Sequence, residues 1–236
     1  MPDARPSDPY ENYVAWKDWR ELFVCSPDAA DYYSGETRDL RIADADVLEI
    51  GFGSGTFLAF ARARGARAVG AEIIADLIEA ARAQGFALLD GTLEAAARTT
   101  PARFDTIVAF DVFEHFEEAD LLRNLDAAAG LLKPGGRLLL RFPNGQSPFG
   151  LAPQNGDPTH RAALSGEKFA YFLRGRPFEI LRYGDAFAAP GRNWKQWLGR
   201  AARAALRGGI ACALNAIYGM TIPWGPVVTL VLTRKA

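Results

Sequence analysis

The sequence predicts an α/β protein built on a largely parallel, doubly wound sheet. Three observations lead there. From Asp46 onward, short apolar runs alternate with stretches of helical periodicity. The first run, Val47–Ile50, ends in glycines and leads straight into a helical segment. The segment Phe104–Phe110 (FDTIVAF) carries a continuous apolar stretch, as expected of a strand covered on both faces.

The elements follow in order. Residues 1–12 read as a loose polar tail. Residues 13–34 place Trp16, Trp19, Leu22 and Phe23 at helical spacing, an amphipathic segment ahead of the core. Strands are expected at 47–50, 66–71, 86–89, 104–110 and 137–142. Helices are expected between them at 56–64, 74–84, 92–98 and 118–132. The last of these carries Leu121, Leu125, Ala128 and Leu132 as one stripe and stops at Lys133-Pro134-Gly135-Gly136. Crossovers of this length give right-handed connections and parallel pairing. After Pro143 comes a long loop rich in Pro and Gly, a length that points to function. A helix at 165–173, a strand at 178–183, an apolar and basic helical stretch at 194–218 and a strand at 227–233 complete the chain.

Composition narrows the class. Of 236 residues, 49% are apolar and 23% charged, enough for one large α/β domain over residues 1–236. A net charge of −1 speaks against broad electrostatic binding of nucleic acid. Cys25 and Cys212 are too few and too far apart for a disulfide scaffold or a cysteine-built zinc site. The polar, Pro-containing start has no signal-peptide pattern, and no apolar run of about 18 residues occurs. A cytoplasmic protein is expected, with an amphipathic stretch that leaves room for contact at the inner membrane face.

The chemistry begins at Glu49-Ile50-Gly51-Phe52-Gly53-Ser54-Gly55-Thr56. Gly51 permits a tight turn, Gly53 lets a ligand approach bare backbone, and Gly55 lets the helix start pack on the strand. A dinucleotide fingerprint is GxGxxG; here the third glycine comes one residue early and Thr56 fills its place. Glu72 ends the second strand, where an acid accepts the hydroxyls of a ribose. Asp90 ends the third, where a carboxylate can accept from an adenine amino group. Glu49 is a charge inside an apolar strand and calls for a cationic partner.

In order and spacing, VLEIGFGSG, AVGAE, LLDGT, FDTIVAFDVFEHF and LLKPGGRLLLRFPN resemble the successive motifs of class I S-adenosylmethionine-dependent methyltransferases, over roughly residues 46–145. The resemblance implies a Rossmann-like, seven-stranded, mostly parallel sheet of order 3-2-1-4-5-7-6 with the last strand antiparallel. It implies S-adenosyl-L-methionine as cofactor, with Glu49, Gly51, Gly53 and Gly55 around the methionyl part. Glu72 would hold the ribose, Ile73 would lie against the adenine, Asp90 and Gly91 at its amino edge, and Asp111 near the methionyl end.

Methyl transfer needs alignment first, and a base only for a poorly acidic hydroxyl or a protonated amine. The chain has two histidines, His115 and His160, both beyond the carboxyl ends of strands. His115 reads either as a pocket-lining residue or as a participant. Asp157, three residues before His160, reads either as the carboxylate behind a catalytic imidazole or as the cap of a turn. The tract from PNG to GDPTHRAALS also resembles methyltransferases of bacterial polysaccharide and lipopolysaccharide biosynthesis. On that likeness the expected acceptor is an oxygen of a saccharide or glycan-lipid intermediate; the alternative is a small quinone, phenol or amine. A nicotinamide oxidoreductase and a non-catalytic cofactor-binding protein complete the field. No ligand spacing recurs, so no metal is expected.

Over residues 192–207, Arg192, Lys195, Arg200, Arg203 and Arg207 share one sector of a helix and Trp194, Trp197, Leu198, Ala201 and Ala205 the opposite one. That pattern fits an interfacial membrane helix or a helix covering the sheet. Gly208-Gly209 is expected to break it, with Ile210–Tyr218 continuing as a buried segment.

Overall fold

A computed structural model describes Tyr10, residues 13–19 and residues 21–235. Apart from Tyr10, the tail expected over residues 1–12 lies outside the described residues. Seven strands form one sheet: β1 (Asp46–Ile50), β2 (Arg67–Ala71), β3 (Ala87–Leu88), β4 (Phe104–Phe110), β5 (Leu132–Pro143), β6 (Phe178–Asp185) and β7 (Val227–Arg234). Their order is β3-β2-β1-β4-β5-β7-β6, as the sequence predicts. β1 runs parallel to β2 and β4, and β4 parallel to β5. β7 inserts antiparallel to both β5 and β6.

The period-2 geometry of the strands sorts their side chains into two layers. Leu48, Ile50, Ile107, Leu138 and Leu140 point to the side covered by α6 (Glu118–Leu131), which contributes Leu121, Leu125 and Ala128. Val47, Val108, Leu139 and Val231 point the other way, onto Phe57 and Phe60 of α3 (Thr56–Arg62). Glu49 alternates into this second layer. An ionisable group in an apolar layer is the first sign that the centre of the sheet serves a ligand.

The helices α4 (Ala75–Ala83) and α5 (Leu93–Thr99) complete the crossovers. In α8 (Gly166–Phe172), Ser165 Oγ accepts from the Lys168 amide at 3.2 Å and so caps the helix.

Three expectations need correction. The helical spacing over 13–34 resolves into α1 (Tyr13–Trp16) and α2 (Pro27–Glu36). Between them, Asp18 and Phe23 adopt positive φ angles of 51° and 57°. Ser26 then caps α2 with Pro27 in its first turn, a start signal that periodicity overrode. The loop after β5 contains a short helix, α7 (Leu151–Gly156).

The third correction is α9 (Trp194–Tyr218), which runs unbroken through Gly208-Gly209. Each interior glycine costs only about 1 kcal/mol relative to alanine. The helix stops at Gly219, which takes the left-handed φ of 63° that ends helices. None of its residues is buried, so Ile210–Tyr218 is not the buried segment expected. Among the described residues no helix is long and apolar enough to cross a membrane.

Candidate functional site

The carboxyl ends of β1, β2 and β4 open into a cavity of about 670 Å³. One wall is the turn after β1, where Gly51, Gly53 and Gly55 have φ of 62°, 49° and 70°. These angles favour glycine. At Gly55 a Cβ would also overlap the ring of Phe23. Gly55→Ala is therefore expected to destabilise the fold by more than about 1 kcal/mol. A thermal melt superimposable on wild type would contradict this.

Glu49, Gly51, Gly53, Glu72, Ile73, Gly91 and Asp111 all border the cavity. Gly55 does not, but its neighbours Ser54 and Thr56 do. Asp90 is exposed and off the lining, which continues through Gly91 and Thr92. The Glu72 carboxylate accepts from the amides of Gly53 (3.0 Å), Ile73 (2.7 Å) and Ile74 (3.3 Å). It keeps acceptor capacity, since an ionised carboxylate offers about four lone-pair sites. Glu49 is 3% exposed, and its Oε2 has no hydrogen-bond partner among the described residues. Burial, reinforced by the charge of Glu72, pushes its carboxyl well above the usual range. An orphaned carboxylate beside bare glycine backbone suits a cationic ligand with hydroxyl groups, so these residues fit an aminoacyl nucleoside such as the expected cofactor.

Asp111 takes a left-handed φ of 56° at the end of β4. Its carboxylate pairs with Arg141, whose Nε lies 3.0 Å from Oδ1. Arg141 also donates to the Tyr32 hydroxyl at 2.7 Å. Burial pushes that phenol up to about 12, against the pull of Arg141. Asp111 thus faces the cavity already paired. The sequence reading missed Arg141, although a cation inside the apolar run LLLRF signals a buried partner.

Another part of the lining is aromatic. Tyr10, Tyr13, Trp19 and Phe116 border it together with His115, which sits at the end of a single 3-10 turn, Phe113–His115. His115 Nδ1 lies 2.9 Å from Thr159 Oγ1. The Thr159 hydroxyl in turn bonds Asp157, and its amide donates to Asp157 Oδ1 at 2.9 Å. Lys17 Nζ (2.8 Å) and the Tyr13 hydroxyl (3.2 Å) donate to the other carboxylate oxygen. Burial would raise the Asp157 carboxyl, but the donors from Lys17 and Thr159 hold it well below the usual range.

An ionised carboxylate only accepts, so the Thr159 hydroxyl gives its proton to Asp157. His115 Nδ1 must then donate to Thr159, which leaves Nε2 with a free lone pair. Burial and the neighbouring His160 keep the imidazole below its ordinary range, favouring the neutral form.

His160 does not border the cavity. Its ring lies behind His115 with centroids 4.7 Å apart, and its Nδ1 meets the Gln154 carbonyl at 2.9 Å. The predicted Asp157–His160 pairing does not form, because the closest approach is 3.9 Å. The tight turn that joins the His160 amide to the Asp157 carbonyl aims the carboxylate at Thr159 instead. Glu114 is fully buried beside this pair, 3.8 Å from His160, and neither of its oxygens has a hydrogen-bond partner among the described residues. Burial, with the charge of Asp111, pushes its carboxyl well above the usual range. Glu114, His115 and His160 bring ligand-type atoms within 4.8 Å of one another, a grouping with the reach to hold a metal ion that sequence spacing did not reveal.

The N-terminal contribution was also missed. Phe23 N bonds Ser54 O at 2.7 Å, and the ring of Trp19 lies against Gly53. The segment read as a cap ahead of the core therefore supplies part of the cavity wall, and Lys17 anchors Asp157.

Comparison with known proteins agrees with this architecture. Residues 27–201 match the family model described as a methyltransferase domain. A ubiquinone biosynthesis O-methyltransferase of Xylella fastidiosa (strain M23) is 30% identical over 129 residues, 51% of this chain and 50% of that protein. One of Serratia proteamaculans (strain 568) is 30% identical over 104 residues, covering 41% and 42%. The chain thus spans about half the length of the curated relatives it matches. Among solved structures, a SAM-dependent methyltransferase from Archaeoglobus fulgidus superposes with a TM-score of 0.58 at 20% identity, over 86% of this chain and 90% of that one. The 1,6-didemethyltoxoflavin-N1-methyltransferase of Burkholderia thailandensis gives 0.57 at 16% identity, over 100% and 93%. At these identities the superpositions speak for the fold. With the family model matched across most of the chain, the protein belongs to the methyltransferase-domain family.

Proposed function

We propose that the protein transfers a methyl group from S-adenosyl-L-methionine to a hydroxyl of a small aromatic acceptor of the phenol or quinol class. One observation carries this reading: the cavity joins the glycine turn and its orphaned Glu49 to an aromatic wall bearing one half-buried imidazole. Its volume falls within the roughly 300–1,000 Å³ of small-molecule sites. The partial relatives named ubiquinone biosynthesis O-methyltransferases support the same class of acceptor.

The cofactor supplies an electrophilic methyl group on a sulfonium. The remaining work falls to the chain. Glu49 pairs with the ammonium, Glu72 accepts the ribose hydroxyls, and the turn from Gly51 to Gly55 admits the ligand to bare backbone. Ile73 and Gly91, with Asp90 nearby, would hold the adenine, and Asp111 stays fixed by Arg141. His115 Nε2 takes the acceptor's hydroxyl proton, while Thr159 and Asp157 hold the tautomer. His160 packs behind it as a positioning residue.

The saccharide expectation rested on the GDPTH tract. Asp157 and Thr159 are buried beneath His115, a position suited to holding an imidazole rather than to meeting a sugar. An apolar acceptor would also be met at a membrane surface, and residues 192–207 belong to the element suited to such contact.

Formation of S-adenosylhomocysteine, assayed over a panel of catechols, quinols and saccharides, tests the reading. Turnover is expected with the aromatic hydroxyls and not with the sugars; turnover confined to sugars would restore the glycan acceptor. Calorimetry with S-adenosylhomocysteine and with NADH checks the cofactor independently, and tight binding of NADH alone would overturn it.

A further inference from the structure

Helix α9 turns an apolar side away from the protein. Trp194, Leu198, Leu206 and Ile217 are each more than half exposed. Taking about 100° per residue, Leu198, Leu206, Ile210 and Ile217 share a sector of about 120° whose only charge is Lys195. The arginines lie beyond one edge of that sector, Arg203 nearest and Arg207 and Arg200 further round. Arg200 donates to the carbonyls of Ala189 and Pro190 and approaches Asp28 of α2 at 3.6 Å. Arg203 and Arg207 border the groove between α9 and α2 and remain exposed. A surface helix ordinarily packs its apolar side inward. Here the half-buried line is the narrower one through Ala201, Ala211 and Leu214, and the larger apolar side chains are left outside.

Charge says what the outward side meets. No Asp or Glu follows Asp185, while residues 186–236 hold seven Lys and Arg; residues 1–185 carry a net charge of −8. This end of the chain is therefore drawn to an anionic surface. Its place in the fold adds a second argument. β6 runs antiparallel to β7, and β7 antiparallel to β5, so β6 delivers the chain into α9 at the end of the sheet where the cavity opens. Tyr32 borders the groove beneath α9 and also accepts from Arg141 in the cavity wall.

We propose that α9 is an interfacial helix for an anionic membrane. Its apolar outer sector enters the headgroup boundary, while Lys195, Arg203 and Arg207 meet lipid phosphates. The docked helix brings the cavity mouth to the bilayer surface. The inference stands on exposure, charge and topology and does not depend on the identity of the acceptor.

Co-sedimentation of the full chain with phosphatidylcholine vesicles, with and without phosphatidylglycerol, tests it. Wild type is expected to pellet with the anionic vesicles and to be released by salt. Leu206→Asp with Ile217→Asp should lower the partition coefficient about tenfold or more. Arg203→Gln with Arg207→Gln should lower it roughly fivefold per cation. S-adenosylhomocysteine affinity confirms that each variant is folded; should the apolar pair fail, the arginine pair still decides. Wild type that stays in the supernatant with anionic vesicles overturns the proposal. So does a wild-type dimer in sedimentation velocity that Leu206→Asp with Ile217→Asp dissociates while vesicle binding is absent, which would make this side a contact between two copies.

Discussion

Glu49→Gln is expected to raise the stability of the ligand-free protein while weakening its hold on S-adenosylhomocysteine by about tenfold or more. The two effects share one cause. Glu49 sits in the centre of the sheet, with a carboxylate oxygen that nothing among the described residues satisfies. Ionising it there is costly, and the carboxyl accordingly titrates well above its ordinary 4.5. Glutamine keeps the shape and removes the charge, for a gain of about 1–2 kcal/mol, seen as a rise of a few degrees in melting temperature.

The gain has a defined pH dependence. A group whose folded-state pKa is raised imposes no penalty below its unfolded value, where both states are protonated. The penalty grows as pH rises from the unfolded value toward the folded-state value and levels off above it. The melting difference between variant and wild type should therefore be near zero around pH 4 and widen toward pH 8. A difference that does not change with pH would show that the charge is compensated. Unchanged affinity for S-adenosylhomocysteine would remove Glu49 from the ammonium site. A residue that destabilises the empty protein and is satisfied by ligand exemplifies stability given up for function.

Much of this was legible because it depends on local chemistry. The run VLEIG declares a buried strand by its apolar content and a turn by its glycines, and Glu49 is conspicuous as a charge within it. Glu72 follows from its place at a strand end, whereas Asp90, read in the same way, lies off the lining. What was not legible depends on contacts distant in sequence. Nothing near Lys17 announces that its ammonium will lie on Asp157, 140 residues away. The GDPTH tract suggested an Asp–His pair because the two residues are three apart. The turn that links their backbones points the carboxylate elsewhere, and His115, 44 residues from Thr159, takes the contact instead. α9 shows the same limit. Periodicity split the helix into a basic and an apolar side, but the line that faces the protein runs between them, through Arg200, Ala201, Ala211 and Leu214, and depends on Asp28 and on the carbonyls of Ala189 and Pro190.

His115→Ala is expected to lower kcat by about 100-fold to 10,000-fold, with cofactor affinity unchanged. The imidazole borders the cavity, is favoured in its neutral form and presents Nε2 as an acceptor, because the hydrogen-bond chain from Asp157 through Thr159 places the proton on Nδ1. Thr159→Val should cost less, since it releases the tautomer without removing the base. His160→Ala should cost least, because its ring has no surface on the cavity. The order of the three separates a proton acceptor from its supports. The pH profile adds a readout that loss of packing would not reproduce: wild-type turnover should rise through a midpoint below the ordinary 6.5 and stay flat above it, and His115→Ala should lose that step. Should His160→Ala prove the more damaging variant while His115→Ala retains full turnover, the base lies one ring further back than this geometry assigns it. The acceptor would then reach past His115 toward the buried Glu114.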